Sequence, residues 1–383
     1  MFTRSAIRPG EDRKAGWLEL FYDLAVVAAL GASNDAFIQN PSAETASFAL
    51  LALGALFSVW LLTTLIHNRF AIDGIIYRIL LLLQMSGILL TAISAGEGDS
   101  IGWQGGLTSL GFVFLTIGGM YALARIQIGR PVQGLKVSII STALGALICF
   151  AGLLLSKETL LYVFALALIV TMAPILISFL RNASQDYPLH PDHLRERLGL
   201  LFLIAIGESL IHLVGVLTET TAGSDYRFFF LVILFDLALA TTYFEGVFSK
   251  RSTAHPRLWR GTVFAHFILI LGVTAAADEM AIFASTDPGT TEAANAGVFA
   301  VAIGLLLIGL TLLEVITNNR LVKLTWAQAA LAAAVMAFGL YQIRNGDTQS
   351  RMGILLLSIA FIIWSVMRVA ISRRALELAD RSN

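Results

Sequence analysis

Apolar stretches of about 20 residues recur along the whole chain, separated by short polar joints, a length that matches the hydrocarbon thickness of a bilayer when wound as an α-helix. Their approximate limits are 17–38, 46–66, 75–95, 103–124, 136–155, 159–180, 198–217, 227–248, 258–278, 296–317, 324–343 and 353–371. The pattern predicts an all-α polytopic membrane protein of about twelve spans, because backbone polar groups in lipid must be satisfied within their own segment. The first, seventh and ninth stretches are the least apolar, and they carry the most polar chemistry.

Composition agrees. Of 383 residues, 57% are hydrophobic and 14% charged, with a mean hydropathy of +0.78, outside the range of soluble globular domains. The formal net charge is zero, so there is no basic stripe to engage nucleic acid. The lipid bilayer is the expected partner, together with an unidentified small molecule or ion, and the chain leaves room for a homo-oligomer. Cys149, the only cysteine, falls in an apolar run and reads as a small buried hydrophobe. The N-terminal segment has no short apolar core ending in small residues, so the first span is expected to be retained.

Basic residues alternate between joints. Arg13 and Lys14, Arg69 and Arg78, Arg125 to Lys136, Arg181 to Arg197, Lys250 to Arg260, Arg320 with Lys323, and Arg373 with Arg374 occupy one set, whereas joints such as Gly96–Ser100 and Asp278–Glu292 carry none. Positive charge collects on the cytoplasmic side, which places both termini in the cytoplasm. The joint with Arg344 and Arg351 is the exception. The longest polar cytoplasmic stretch, 181–197, divides the chain into a first half (1–180) and a second half (198–383) of six spans each, an arrangement compatible with parallel repeats around a shared cavity.

Ionisable residues inside spans are costly and need a partner, water or a task. Glu19 and Asp23, four residues apart, share one face of the first helix beside the interfacial Trp17. Glu196 and Arg197 open the seventh span, and Glu208 with His212 repeats the four-residue spacing deeper within it, where the pair is expected to hold and release a proton. Asp236 lies in the middle of the eighth span, and His266 within the ninth. Glu245, Glu314 and His67 fall toward cytoplasmic ends, while Asp35, Asp278 and Glu279 are expected to be solvated near the opposite face. His190 and His193 around Asp192 read as a loop followed by an N-cap rather than as a metal site. No phosphate-cradling glycine loop, nucleophile elbow or dinucleotide fingerprint occurs, so neither a metal nor a cofactor is assigned.

The stretch Trp17–Leu24, WLELFYDL, and the later ERLGLLFLIAIGES, beginning at Glu196, resemble the bacterial low temperature requirement A family. The match lies at Trp17, Leu18, Glu19, Leu20, Phe21, Asp23 and Leu24, and at Glu196, Arg197, Gly199, Leu200, Gly207 and Glu208. A third stretch, FAHFILILG, with His266 and Gly272, resembles the family's ninth span. Asp35 stands where many members have histidine, and His212 lies outside the pattern. The resemblance implies a multi-span membrane protein connected with growth in the cold. It supplies no substrate.

The residues suggest a secondary transporter or proton-coupled permease in which Glu208, His212, Asp236 and His266 bind the ion and Glu19, Asp23, Glu196 and Arg197 form gating pairs. A membrane enzyme acting on a lipid or isoprenoid, with the carboxylates as acid and base or as Mg²⁺ ligands, is the alternative, and a structural or regulatory membrane protein is the third.

Overall fold

The structure, a computed structural model, describes residues 16–39, 43–70, 72–97, 100–129, 132, 134–181, 189–219, 226–248, 259–285, 296–316, 322–344 and 351–381. Among them the regular structure is entirely helical. Nine helices of the described residues are long and apolar enough to cross a membrane, and the chain is a multi-pass membrane protein. It forms two compact units, Met1–Leu201 and Phe202–Asn383.

The first unit contains α1 (Trp17–Gln39), α2 (Ala43–Arg69), α3 (Ile75–Glu97), α4 (Ser100–Ile128), α5 (Leu135–Gly152), α6 (Leu160–Arg181) and the start of α7 (Pro191–Glu219). From α1 to α6, neighbours in sequence pack side by side, α1 also lies against α3, and α2 touches α3, α4 and α6. This enclosure explains why α2 buries so much of its length, including Leu53, Leu56, Val59, Trp60 and Ile66. By contrast, Ile79, Leu82, Leu90 and Ile93 of α3 are exposed. An apolar side chain facing outward is at home in hydrocarbon.

Two glycines set the turn between α4 and α5. Gly129 and Gly134 have φ of 68° and 98°, left-handed values that cost a side chain but suit glycine, and they end one helix and start the next. The glycine spacing within α4 serves packing. A Cβ on Gly111 would lie 3.1 Å from Cys149 Cβ of α5, and one on Gly118 would lie 2.9 Å from Thr142 Oγ1. Pro174 is accommodated inside α6, which continues through it to Arg181.

The beginning of α7 departs from expectation. The helix starts at Pro191, within the stretch read as a connecting loop (181–197), and Asp192 lies in its first turn. Proline suits the first helical position because the amide hydrogen it lacks would have no partner there. The His190 carbonyl accepts the Leu194 N–H at 3.1 Å, closing the turn. His193, Leu194, Arg197 and Leu198 are then turned inward and buried.

The second unit contains the rest of α7, α8 (Tyr226–Thr241) with a π-helical extension (Thr242–Phe248), α9 (Trp259–Ser285), α10 (Ala296–Ile316), α11 (Val322–Arg344) and α12 (Arg351–Arg381). α10 packs against α9, α11 and α12, and α8 against α12. Small residues let α10 approach its neighbours closely. A Cβ on Gly339 of α11 would meet the Gly297 carbonyl oxygen at 2.6 Å, and one on Gly304 would meet Met336 Cγ at 2.0 Å.

These two contacts differ in what can yield: a helix backbone at Gly339, a flexible methionine at Gly304. Gly339→Ala is expected to destabilise the second unit by about 1–3 kcal/mol through overpacking, and Gly304→Ala by less. Thermal unfolding of the two variants in detergent checks the order.

Candidate functional site

In the first unit the sequence brings four helices to one buried cluster. Glu19 and Asp23 come from one face of α1, Trp60, His67 and Asn68 from α2, Tyr77 from the start of α3, and His193 and Arg197 from one face of α7. The four-residue spacings 19/23 and 193/197 place each pair one above the other, so the helices meet as two matched ladders.

Asp23 and Arg197 are both fully buried, at 0% exposure. Arg197 Nε donates to Asp23 Oδ2 at 3.0 Å and its NH2 to Oδ1 at 2.5 Å, a bidentate pair. Trp60 Nε1 donates to Oδ1 at 2.6 Å. The guanidinium carbon also lies 5.9 Å from the Trp60 ring centroid, where the ring face attracts a cation. One turn away, Glu19 Oε2 lies 3.4 Å from Arg197 NH1, 3.3 Å from His193 Nε2 and 3.2 Å from the Gly16 N–H that donates to it. Glu19 Oε1 faces His67 Nδ1 at 3.7 Å, and His67 Nε2 meets the Tyr77 hydroxyl at 2.6 Å.

Beside this cluster, Gln84 Nε2 donates to the Tyr22 hydroxyl at 2.9 Å and to Thr63 Oγ1 at 2.6 Å. Thr63 passes its own hydrogen to the Val59 carbonyl at 2.9 Å. The polar groups of α1, α2 and α3 are therefore joined within an otherwise apolar interior.

Three buried polar groupings stand out in the second unit. Ser209 Oγ lies 2.6 Å from Asp236 Oδ2 and 2.7 Å from the Ile206 carbonyl oxygen. His266 Nδ1 lies 2.6 Å from the Thr262 carbonyl, so that nitrogen carries hydrogen, and the Tyr243 hydroxyl meets Nε2 at 2.7 Å. Tyr243 sits on the π-helical turn, whose wider winding carries it to His266. Arg368 of α12 donates to Glu314 of α10, both buried.

Of the residues expected to matter, Glu19, Asp23 and Arg197 come together, while Glu196, on another face of α7, is half-buried. Glu208 is half-buried, and the side chains of His212 and Asp35 lie outside the described residues. Asp278 and Glu279, expected to be solvated, are buried at 5% and 2% exposure, because the helix continues past them to Ser285. His67, which falls toward the cytoplasmic end of its span, lies against Tyr77 and Glu19. His193, Trp60, Tyr77, Asn68, Ser209, Tyr243 and Arg368 were not expected at these sites. Among the described residues no group of three His, Cys, Asp or Glu side chains is arranged to hold a metal ion.

The two stretches that carry the family resemblance thus meet through Asp23 and Arg197. The family model for bacterial low temperature requirement A protein matches residues 14–366. The chain belongs to this family. No curated protein matches it. In this member of the family, residues of those two stretches meet where a buried charge is neutralised.

Removing one member of a buried pair strands the other, whereas replacing both need not be costly. Arg197→Leu is expected to cost about 3–5 kcal/mol, and the double change Asp23→Leu with Arg197→Leu less than either single change. Unfolding of the three variants in detergent reads this directly.

Proposed function

We propose that this family member is a secondary transporter that couples a small solute or ion to proton movement, with twelve spans in the bacterial inner membrane and both termini cytoplasmic. The observation that carries the reading is the Ser209–Asp236 contact. A serine hydroxyl has one hydrogen, yet Ser209 Oγ is within hydrogen-bonding distance of two acceptors, the Ile206 carbonyl and Asp236 Oδ2. Both contacts are full hydrogen bonds when Asp236 carries a proton and donates it to Ser209. Among the described residues no basic side chain pairs with Asp236. Loss of that proton leaves a buried charge, so binding and release change the local energetics sharply.

In this reading Asp236 is the proton-binding residue of the second unit, with Glu208, His212 and His266 as further ion-binding groups. Glu19, Asp23, Glu196 and Arg197 serve as gating groups in the first. A second reading, a structural or regulatory protein without turnover, draws support from the Asp23–Arg197 and Glu314–Arg368 pairs, which hold helices together whatever else the protein does.

Proton movement into liposomes containing the purified protein, followed with an internal pH dye under an imposed potential, separates the readings. Asp236→Asn keeps shape and hydrogen-bonding capacity but cannot carry the proton. It is expected to lower the protein-dependent flux by about 100-fold or more, the range lost when a proton-transfer group is removed, while leaving thermal stability near that of the native chain. Glu208→Gln is expected to lower flux as well. Unchanged flux in Asp236→Asn would overturn the assignment, and absence of flux in the native chain would favour the structural reading.

A further inference from the structure

We infer that the two imidazoles flanking Glu19 are not equivalent: His67 takes up a proton beside the Glu19 carboxylate, whereas the Asn68 side-chain amide holds His193 as a neutral hydrogen-bond donor. The use made of that proton rests on the transport reading above. The protonation pattern does not.

The side-chain amide of Asn68 is oriented by the backbone of His190. Its Oδ1 accepts the His190 N–H at 2.8 Å, and its Nδ2 donates to the His190 carbonyl at 2.9 Å. The same Nδ2 lies 3.2 Å from His193 Nδ1. An amide nitrogen only donates, so His193 Nδ1 must accept, and the ring hydrogen belongs on Nε2, directed at Glu19 Oε2 3.3 Å away. A second ring proton would set N–H against N–H. His193 is thereby confined to one neutral tautomer.

His67 faces different chemistry. Its Nε2 meets the Tyr77 hydroxyl, which can donate or accept, so either protonation state of that nitrogen is satisfied. The two oxygens of Glu19 are likewise unequal. Oε2 takes the Gly16 and His193 donors and the nearby Arg197 NH1, while Oε1 faces His67 Nδ1. Among the described residues, the charged and titratable groups seen around the site include Asp23 and Tyr22 on α1, His67 on α2, Tyr77 on α3, and His193 and Arg197 on α7. Asp23 is committed to Arg197 and Trp60, and Tyr22 to Thr63 and Gln84.

The step balances within three side chains. With the cluster deprotonated, His67 carries its one hydrogen on Nδ1, toward the Glu19 carboxylate, and accepts the Tyr77 hydroxyl hydrogen at Nε2. An added proton binds Nε2, the Tyr77 hydroxyl turns to accept it, and the pair becomes imidazolium and carboxylate. His193 does not change in this step.

Nitrogen-15 spectra of the full-length protein, labelled at histidine and purified in detergent, read the state of each ring. Comparison with His193→Gln and His67→Gln assigns the two residues. Across the pH range in which His67 takes up its proton, His193 is expected to remain the neutral Nε2–H tautomer. In Asn68→Asp, whose carboxylate accepts from Nδ1–H, His193 is expected to become protonated. Glutamine at 193 can supply the same donor to Glu19, so His67 is expected to titrate still in His193→Gln. Titration of His193 in the native chain, a His67 that stays neutral throughout, or loss of the His67 titration in His193→Gln would each overturn the proposal. These ring states decide it whether or not the protein moves protons in liposomes.

Discussion

Arg197 is a fixed charge with no exposed surface, and the arrangement of the first unit follows from the need to neutralise it. An arginine at the centre of a membrane helix costs about 2.5–3.5 kcal/mol on insertion scales, and more when the surroundings cannot relax. Asp23 meets it with two hydrogen bonds, and Trp60 closes the remaining side with an indole N–H and a ring face. Because these groups come from α1, α2 and α7, satisfying one guanidinium fixes the mutual placement of three helices. The second unit meets the same need with Glu314 and Arg368, which tie α10 to α12. Hydrophobic burial discriminates poorly among helices in lipid, so such pairs set register where apolar surface cannot.

Once the strong charges are paired, the remaining buried polar groups are joined by hydroxyls, amides and imidazoles. Ser209 with Asp236, Tyr243 with His266, and Tyr77 with His67 each combine a titratable group with a hydroxyl that can reverse its hydrogen-bond direction. Paired charges resist a change of protonation; hydroxyl-linked groups accommodate one. On the transport reading, the division separates what holds the helices together from what takes up and releases a proton.

Much of the architecture was legible in the sequence, because hydrophobic runs in lipid leave the backbone few choices. The runs read at 75–95 and 296–317 correspond to α3 and α10 within two residues at each end. Glu19, Asp23 and Arg197 were legible as charges needing partners, but which partner each takes was not, since Asp23 and Arg197 lie 174 residues apart. The helix start read at Asp192 agrees with α7, which begins at Pro191, but that His193 of its first turn faces inward was not legible. Tyr243 depends on a π-helical turn that leaves no mark in hydrophobic periodicity. Asp278 and Glu279 look like a solvated end, but α9 carries them into the protein.

On the transport reading, a buried carboxyl group linked to a hydroxyl carries an exchangeable proton. Infrared difference spectra of the purified protein across a pH step, native against Asp236→Asn, test this most directly. The native chain is expected to show a protonated-carboxyl band that disappears at alkaline pH and is missing from the variant. An Asp236 seen only as carboxylate throughout the titration would contradict it.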